Sequence, residues 1–128
     1  MNVKDVSRAT GLPSKTLRYY EEVGLVAPAR ADNGYRVYSE TDVHKLAFVG
    51  RARSLGFSLD DCRALLSLYE DRSRASADVK ALAMDHVAQV DRKLAEMTMI
   101  KSELQRLVLA CHGDDRPDCP IMNGLAGD

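Results

Sequence analysis

The chain has 128 residues, three cysteines and a formal net charge of −1. A chain of this length buries one sizeable core, which suits one compact domain or one small domain with an appendage. Its apolar stretches fall far short of the about 20 residues that cross a bilayer, and residues 1–5 do not begin a secretory signal. Composition therefore predicts a cytoplasmic protein without a membrane partner, whose thiols stay reduced and available to metals or redox chemistry.

The charge is unevenly distributed. Residues 1–56 carry nine Lys or Arg against six Asp or Glu, whereas residues 57–128 carry nine against thirteen. A basic first part favours a polyanion-binding surface there, although so modest an excess is also typical of ordinary surface scatter. The motifs must decide between these interpretations.

The first two predicted helices form a helix-turn-helix. Apolar residues recur at helical spacing over residues 2–10, and Gly11 permits the positive φ that ends a helix. After a proline that forbids continuation, Ser14 is predicted to cap a second helix over residues 15–23, which Gly24 closes. Two short helices joined by a tight turn are typical of DNA-binding domains.

A small β-hairpin and two further helices follow. Residues 32–38 place an Asn-Gly turn before alternating residues, which predicts a hairpin that we interpret as a wing. Ser39 begins an approximate capping box that opens a third helix to about Leu55. Ser58 is predicted to cap a fourth helix, whose apolar stripe includes Cys62 and Tyr69. We expect Cys62 to be a core residue rather than a metal ligand.

The second helix presents the side chains that a recognition helix needs. Lys15 and Arg18 share one face and can reach base edges and phosphates, whereas on a lone helix they would be an ordinary solvated pair. Beside the hairpin turn, Tyr35 and Tyr38 can hydrogen-bond to the backbone, and local packing is an equally typical role. Late in the third helix, Arg51 and Arg53 can add a phosphate clamp, and surface salt bridges are equally typical of them. The predicted DNA-contacting set is Lys15, Thr16, Arg18, Tyr19, Arg30, Tyr35, Arg36 and Arg53.

The longest predicted helix carries a dimerisation seam. No proline or glycine interrupts residues 77–110, which gives a helix about 50 Å long. Apolar residues step along it alternately by four and three, the heptad pattern of a two-stranded coiled coil. Such a stripe exceeds what residues 1–70 can cover, so a homodimer is favoured over a helix lying on its own domain. The seam includes Val87, Val90, Leu94, Met97 and Leu104, and Lys101 interrupts it.

Six segments form a specific combination: TGL at 10–12, LRYYEEVGL at 17–25, NGYRVY at 33–38, GFSL at 56–59, SADVK at 76–80 and CHGDDRPDCPI at 111–121. With these segments the chain resembles, nearly end to end, the MerR family and within it the copper-responsive regulators of the CueR and HmrR type. The resemblance implies a transcription regulator and not an enzyme.

The predicted fold of the chain is mainly α-helical. It comprises a winged helix-turn-helix domain (1–70), a hinge and long dimerisation helix (71–110), and a metal-binding loop with a short C-terminal helix (111–128). The resemblance implies a homodimer joined by an antiparallel coiled coil of the long helices. It also implies binding to double-stranded promoter DNA with an over-long spacer, which the metal-bound state distorts so that RNA polymerase can initiate.

Cys111 and Cys119 are the predicted metal ligands. Seven residues separate them, among them Gly113 and Pro117, so the thiolates can fold around one ion; a disulfide could use the same spacing. Two soft sulfurs favour Cu(I), with Ag(I) or Au(I) as substitutes, whereas structural zinc normally takes four ligands. His112 is a weaker candidate. It directly follows Cys111 in the chain, so we expect its side chain to point away from a site centred between the two sulfurs.

Cys119 is also predicted to cap a short helix over residues 120–125, because proline at 120 favours the first helical position. The positive helix end can offset the single negative charge that a monovalent ion leaves on two thiolates. At the position of Ser76, the resembling regulators of divalent metals carry a cysteine and monovalent sensors a serine. We therefore expect Ser76 to lie near the site without ligating the ion, and also to cap the long helix.

The sequence thus predicts a Cu(I)-responsive activator. A divalent-metal sensor of the same fold and a redox sensor, in which Cys111 and Cys119 form a disulfide, are the alternatives. A thiol oxidoreductase is disfavoured, since the chain has neither a Cys-x-x-Cys pair nor a nucleotide-binding loop.

Overall fold

A computed structural model describes residues 1–117 and 119–127; Asp118, part of the last sequence segment given above, lies outside the described residues. Within these ranges the fold is mainly helical, with one antiparallel hairpin and one long helix, as predicted. The elements are α1 (Val3–Thr10), α2 (Ser14–Glu22), β1 (Ala29–Arg30), β2 (Arg36–Val37), α3 (Glu40–Ser54), α4 (Leu59–Glu70), α5 (Ser76–Ala110) and α6 (Pro120–Ala126).

The chain divides into two compact units, Met1–Leu82 and Ala83–Asp128. In the first, α1 packs against α2 and α3, and α3 packs against α4. Their facing side chains form one core, which also contains the residue that follows the hairpin. The core comprises Val6, Leu17, Tyr20, Leu25, Val26, Tyr38, Leu46, Val49, Ala52, Cys62 and Leu66.

The turn between α1 and α2 has the predicted geometry, with one difference at its end. Gly11 adopts φ 74°, and its N–H donates to the Ser7 carbonyl at 2.9 Å. The prediction that Ser14 caps α2 was wrong, because Ser14 is already the first helical residue. Pro13 holds the extended N-cap conformation instead, without a side-chain hydrogen bond, because its ring fixes φ at a value compatible with that position.

The wing is the predicted hairpin. Its two strands pair Ala29 with Val37 and Arg30 with Arg36. Gly34 adopts φ 83° in the turn, a left-handed backbone conformation that residues with a side chain rarely adopt. Each strand contains only two residues.

The helices after the wing begin where capping predicted. Ser39 and Asp42 form a reciprocal capping box at α3, and the Ser58 hydroxyl accepts the Asp61 N–H at 3.1 Å at α4. Cys62 is fully buried, as predicted, and burial raises the pKa of its thiol. Tyr69, on the predicted apolar stripe of α4, is instead 56% exposed and lies against Phe48.

Helix α5 contains the predicted span and begins at Ser76, so Ser76 is a helical residue rather than the cap before the helix. In the second unit, α6 packs against α5. Leu107 of α5 is only 7% exposed, and a Cβ added at Gly124 of α6 would lie 3.2 Å from its Cδ2. No helix in the described part of the chain is both long and apolar enough to span a membrane.

Candidate DNA-binding surface and metal centre

Helix α2 is oriented by its inward face. Leu17 and Tyr20 are buried in the core, and this leaves Lys15, Arg18 and Tyr19 exposed on the outward side. Thr16 is partly buried. A helix held in this way presents two cations and a phenol to a groove, the arrangement that base and phosphate contacts require.

An open groove lies between α2, the start of α1 and the wing, with a volume of about 760 Å³. The structure brings four predicted DNA-contacting side chains together along it with one further cation: Arg18, Arg30, Tyr35, Arg36 and Lys4. The other four predicted residues, Lys15, Thr16, Tyr19 and Arg53, are not among those that line it. Sequence reasoning missed Lys4, because only the packing of α1 beside the wing brings it here.

Glu21, near the end of α2, pairs with both wing arginines. Its Oε1 accepts from Arg30 Nη2 at 2.7 Å, and its Oε2 accepts from Arg36 Nε. The hydrogen bond to Glu21 raises the pKa of the Arg36 guanidinium. Sequence reasoning missed this residue, since local periodicity does not relate α2 to a hairpin 9 and 15 residues further on.

The two tyrosines beside the wing turn have different environments. Tyr35 is 74% exposed, which suits a contact with DNA. Tyr38 is 1% exposed, burial raises the pKa of its phenol, and its hydroxyl has no hydrogen-bond partner among the described residues. Tyr38 therefore has the packing role and not that of a side chain hydrogen-bonded to the backbone.

Two more arginines make backbone contacts. Arg53 is exposed on α3, and its Nη1 donates to the Phe57 carbonyl at 2.8 Å across the turn into α4. Arg63 of α4, which sequence reasoning did not single out, donates to the Val23 carbonyl at 2.7 Å. Arg63 thereby ties α4 to the C-terminal end of α2, where helix carbonyls lack intrahelical partners.

The predicted seam lies uncovered on α5 in the single chain. All five of its predicted residues are exposed, from 38% for Val90 to 62% for Met97. A row of half-exposed aliphatic side chains at heptad spacing is typical of a helix that packs against a second helix.

The predicted metal-binding loop is framed by two half-buried free thiols, Cys111 and Cys119. Between them Gly113 adopts φ 64°. Arg116 pairs with Asp114 at 2.6 Å, and its side-chain hydrogen bond lowers the pKa of that carboxyl group. The charged form of this acid is therefore paired within the loop.

Cys119 is the N-cap of α6, as predicted, and its Sγ accepts the Met122 N–H at 3.4 Å. His112 and Ser76 are both exposed. Within residues 1–117 and 119–127, no group of three or more His, Cys, Asp or Glu side chains is arranged to hold a metal. Two sulfurs, one of them at a helix N-terminus, are a donor set that fits a soft ion of low coordination number.

Two family models match the chain: "MerR HTH family regulatory protein" over residues 1–68 and "MerR, DNA binding" over residues 43–107. The chain is 56% identical over 126 residues to the HTH-type transcriptional regulator HmrR of Rhizobium leguminosarum bv. viciae, with 98% of both proteins covered. The chain belongs to the MerR family. It is a transcription regulator rather than an enzyme.

Two further proteins are similar to the chain over nearly their whole length. The HTH-type transcriptional regulator CueR of Salmonella typhimurium is 43% identical over 128 residues, covering 99% of this chain and 93% of CueR. The crystal structure of PbrR691 from Ralstonia metallidurans CH34 in complex with lead(II) superposes with a TM-score of 0.80, at 32% identity and with 98% of both chains covered. The winged helix-turn-helix followed by a long helix is thus the family fold.

Proposed function

We propose that this MerR-family chain is a Cu(I)-responsive transcription regulator that also responds to Ag(I) and Au(I), with Cys111 and Cys119 as the metal ligands. The observation that carries the proposal is the Cys111–Cys119 loop, in which both thiols are free and half-buried and Cys119 caps α6. The bound ion supplies the signal by joining the two ends of the loop. The residues of the chain bind it and stabilise its charge.

The charge of the site favours a monovalent ion. One monovalent cation on two thiolates leaves a single negative charge, which the Met122 N–H and the positive N-terminal end of α6 can stabilise. Arg116 pairs with Asp114 in the same loop, so that this acid is partly compensated by a neighbouring cation. A divalent ion would leave no charge for the helix end to offset.

Ser76 supports the same assignment. It stands where, by the family resemblance, regulators of divalent metals carry a cysteine, so the donor set lacks a third sulfur. Soft divalent ions with higher coordination numbers are then disfavoured. Ser76 is exposed on the first turn of α5, where it is available to a site completed in the dimer.

The proposed regulator works as a homodimer on promoter DNA. The seam of α5 joins two chains through an antiparallel coiled coil, and each chain offers α2 to a major groove and its wing to the adjoining backbone. The contacts are assigned to Lys15, Thr16, Arg18, Tyr19, Arg30, Tyr35, Arg36 and Arg53. Metal binding selects the dimer shape that distorts an over-long spacer, so that RNA polymerase can initiate in the cytoplasm.

The test is transcription in vitro from a promoter fragment that the protein retains from fragmented genomic DNA. Cu(I), Ag(I), Au(I), Zn(II) and Hg(II) are titrated separately under anaerobic reducing conditions. We expect Cu(I), Ag(I) and Au(I) to activate, with one Cu(I) per subunit bound by two sulfurs in X-ray absorption spectra. Activation by zinc alone, or a four-ligand copper site, contradicts the assignment.

Single-site variants test the two ligands, and a thiol oxidant separates the metal switch from a redox switch. Cys111→Ser and Cys119→Ser each abolish activation by Cu(I), whereas Cys62→Ser, whose thiol is buried in the core, leaves the metal stoichiometry unchanged. A redox switch instead predicts activation by a thiol oxidant without metal. Loss of bound copper during gel filtration in reducing buffer favours that alternative.

A further inference from the structure

Beyond its base, where Tyr38 is buried in the core, the wing has few apolar contacts to hold it in place. Both residues of β1 are exposed, and so is Val37 in β2. An isolated two-stranded hairpin is marginally stable in water, so its orientation depends on contacts with the rest of the unit. At its base, the Tyr38 N–H donates to the Met1 carbonyl at 2.8 Å. Nearer the turn, the contacts with α2 are the ion pairs of Glu21.

Glu21 joins both strands of the wing to α2. Arg30 and Arg36 are directly opposite in the hairpin, and two like charges in that position destabilise a strand pair. The Glu21 carboxylate gives each arginine one of its oxygens. The Glu21 side chain is 21% exposed and that of Arg36 26%, so this pair is partly shielded from water. Charge-assisted hydrogen bonds of this kind fix geometry as well as contributing energy.

We propose that Glu21 is a positioning residue for DNA recognition, which sets the distance and angle between the wing arginines and the exposed face of α2. The inference rests on the proposed DNA-binding function. A fixed spacing favours a duplex whose groove width and phosphate positions match it, and disfavours other duplexes. Glu21 therefore acts on selectivity between DNA sequences through Arg30 and Arg36, without itself touching DNA.

A carboxylate near DNA also weakens binding to every duplex by simple repulsion, and this general effect needs a matched control. Glu22 is the adjacent acid on α2 and is exposed. Glu21→Gln and Glu22→Gln remove the same charge from neighbouring positions. Only the former leaves a single acceptor oxygen where two arginines each had one, and an NH2 group that cannot accept from the other, so the difference between the variants isolates positioning.

The experiment compares two probes at several salt concentrations: a duplex that the wild-type dimer selects from a randomised library, and the unselected library. For Glu21→Gln we expect affinity for the selected duplex to fall and affinity for the library to stay or rise. The ratio of the two falls by about tenfold, the size of one disturbed protein–DNA contact. For Glu22→Gln the two affinities change together and the ratio stays constant. A ratio that moves no more in Glu21→Gln than in Glu22→Gln overturns the proposal.

A second measurement needs no DNA. Amide hydrogen exchange of the wing, including the Ala31 N–H that donates to the Tyr35 carbonyl, is expected to accelerate in Glu21→Gln and not in Glu22→Gln. Equal exchange rates in the two variants would contradict the role of Glu21 in holding the wing against α2. If the wild-type dimer selects no duplex, the proposed DNA-binding function fails, while the exchange data still decide whether Glu21 holds the wing. Should Glu21→Gln lose cooperative thermal unfolding, Glu21→Asp keeps the charge but is too short for both arginines, and it is expected to lower the ratio partially.

Discussion

Truncation of Leu107 tests whether the packing of α6 on α5 is a condition for metal binding. Leu107 is 7% exposed, and its methyl groups lie against the backbone of α6 at Gly124. Leu→Ala substitutions cost about 2–5 kcal/mol in protein cores, and the lower end, about 2 kcal/mol, applies to a residue covered by one short helix. Since each ~1.4 kcal/mol is tenfold in an equilibrium constant, Leu107→Ala is expected to lower Cu(I) affinity by about 30-fold.

The reason for this coupling is the position of Cys119. Its Sγ accepts the Met122 N–H, so the sulfur is in place only while the first turn of α6 is formed and packed. Competition with a chromogenic Cu(I) chelator under anaerobic conditions measures the affinity. Leu109→Ala is the matched control, because Leu109 lies two residues further along α5 and is 86% exposed. Equal affinities of the two variants would refute the reasoning, and α6 would then be irrelevant to the site.

Further predictions concern the DNA-binding surface, the seam and the core. Arg18→Ala is expected to lower the ratio of the affinity for the selected duplex to the affinity for the library by about tenfold. Lys15→Ala is expected to weaken binding to the selected duplex and to the library alike, and to reduce the salt slope of binding by about one. Fluorescence anisotropy measures the affinities of both variants. Leu94→Glu places an unpaired carboxylate on the seam and is expected to raise the dimer dissociation constant by at least about 100-fold in sedimentation. Met99→Glu, also on α5 but off the heptad positions, serves as its control and leaves the dimer intact. Because burial raises the pKa of Cys62 above its unfolded value of about 8.5, its stabilising contribution is complete below that pH and is lost as the pH rises through the native pKa. Urea unfolding at about pH 7 and pH 10 should therefore show a smaller alkaline loss of stability in Cys62→Ala than in wild type, and an equal loss argues against a buried neutral thiol.

Elements with strong local signals were predictable from the sequence. Gly11 and the Asn-Gly turn require left-handed glycines, and Ser39 and Ser58 cap helices through their own hydroxyls, so each boundary is encoded within a few residues. The cap of α2 was not predictable in this way. Proline and serine compete for neighbouring positions there, and the backbone of Pro13 takes the one that capping statistics assign to serine.

The candidate sites were predictable to the extent that their chemistry is local. Cys119 and the proline after it define a helix N-cap by themselves, and the structure has that cap. The contributions of Lys4 and Glu21 depend on tertiary packing, which brings α1 and α2 beside a wing far along the chain. Charge and periodicity contain no information on such contacts, so both residues were missed.

The candidate DNA-binding surface combines a modest positive charge with a wing whose position relative to α2 is fixed by ion pairs. Residues 1–56 have only three more basic than acidic residues, and Glu21 offsets part of the charge of the two wing arginines. Each phosphate contact contributes about 0.9 to the salt slope of binding, so a subunit with few free cations is expected to hold arbitrary DNA weakly at physiological salt. Affinity then depends strongly on how the duplex fits α2 and the wing, through groove width and deformability. Under the proposed mechanism this dependence is an advantage, because a metal-induced change in the shape of the dimer acts on the part of the binding free energy that the fit controls.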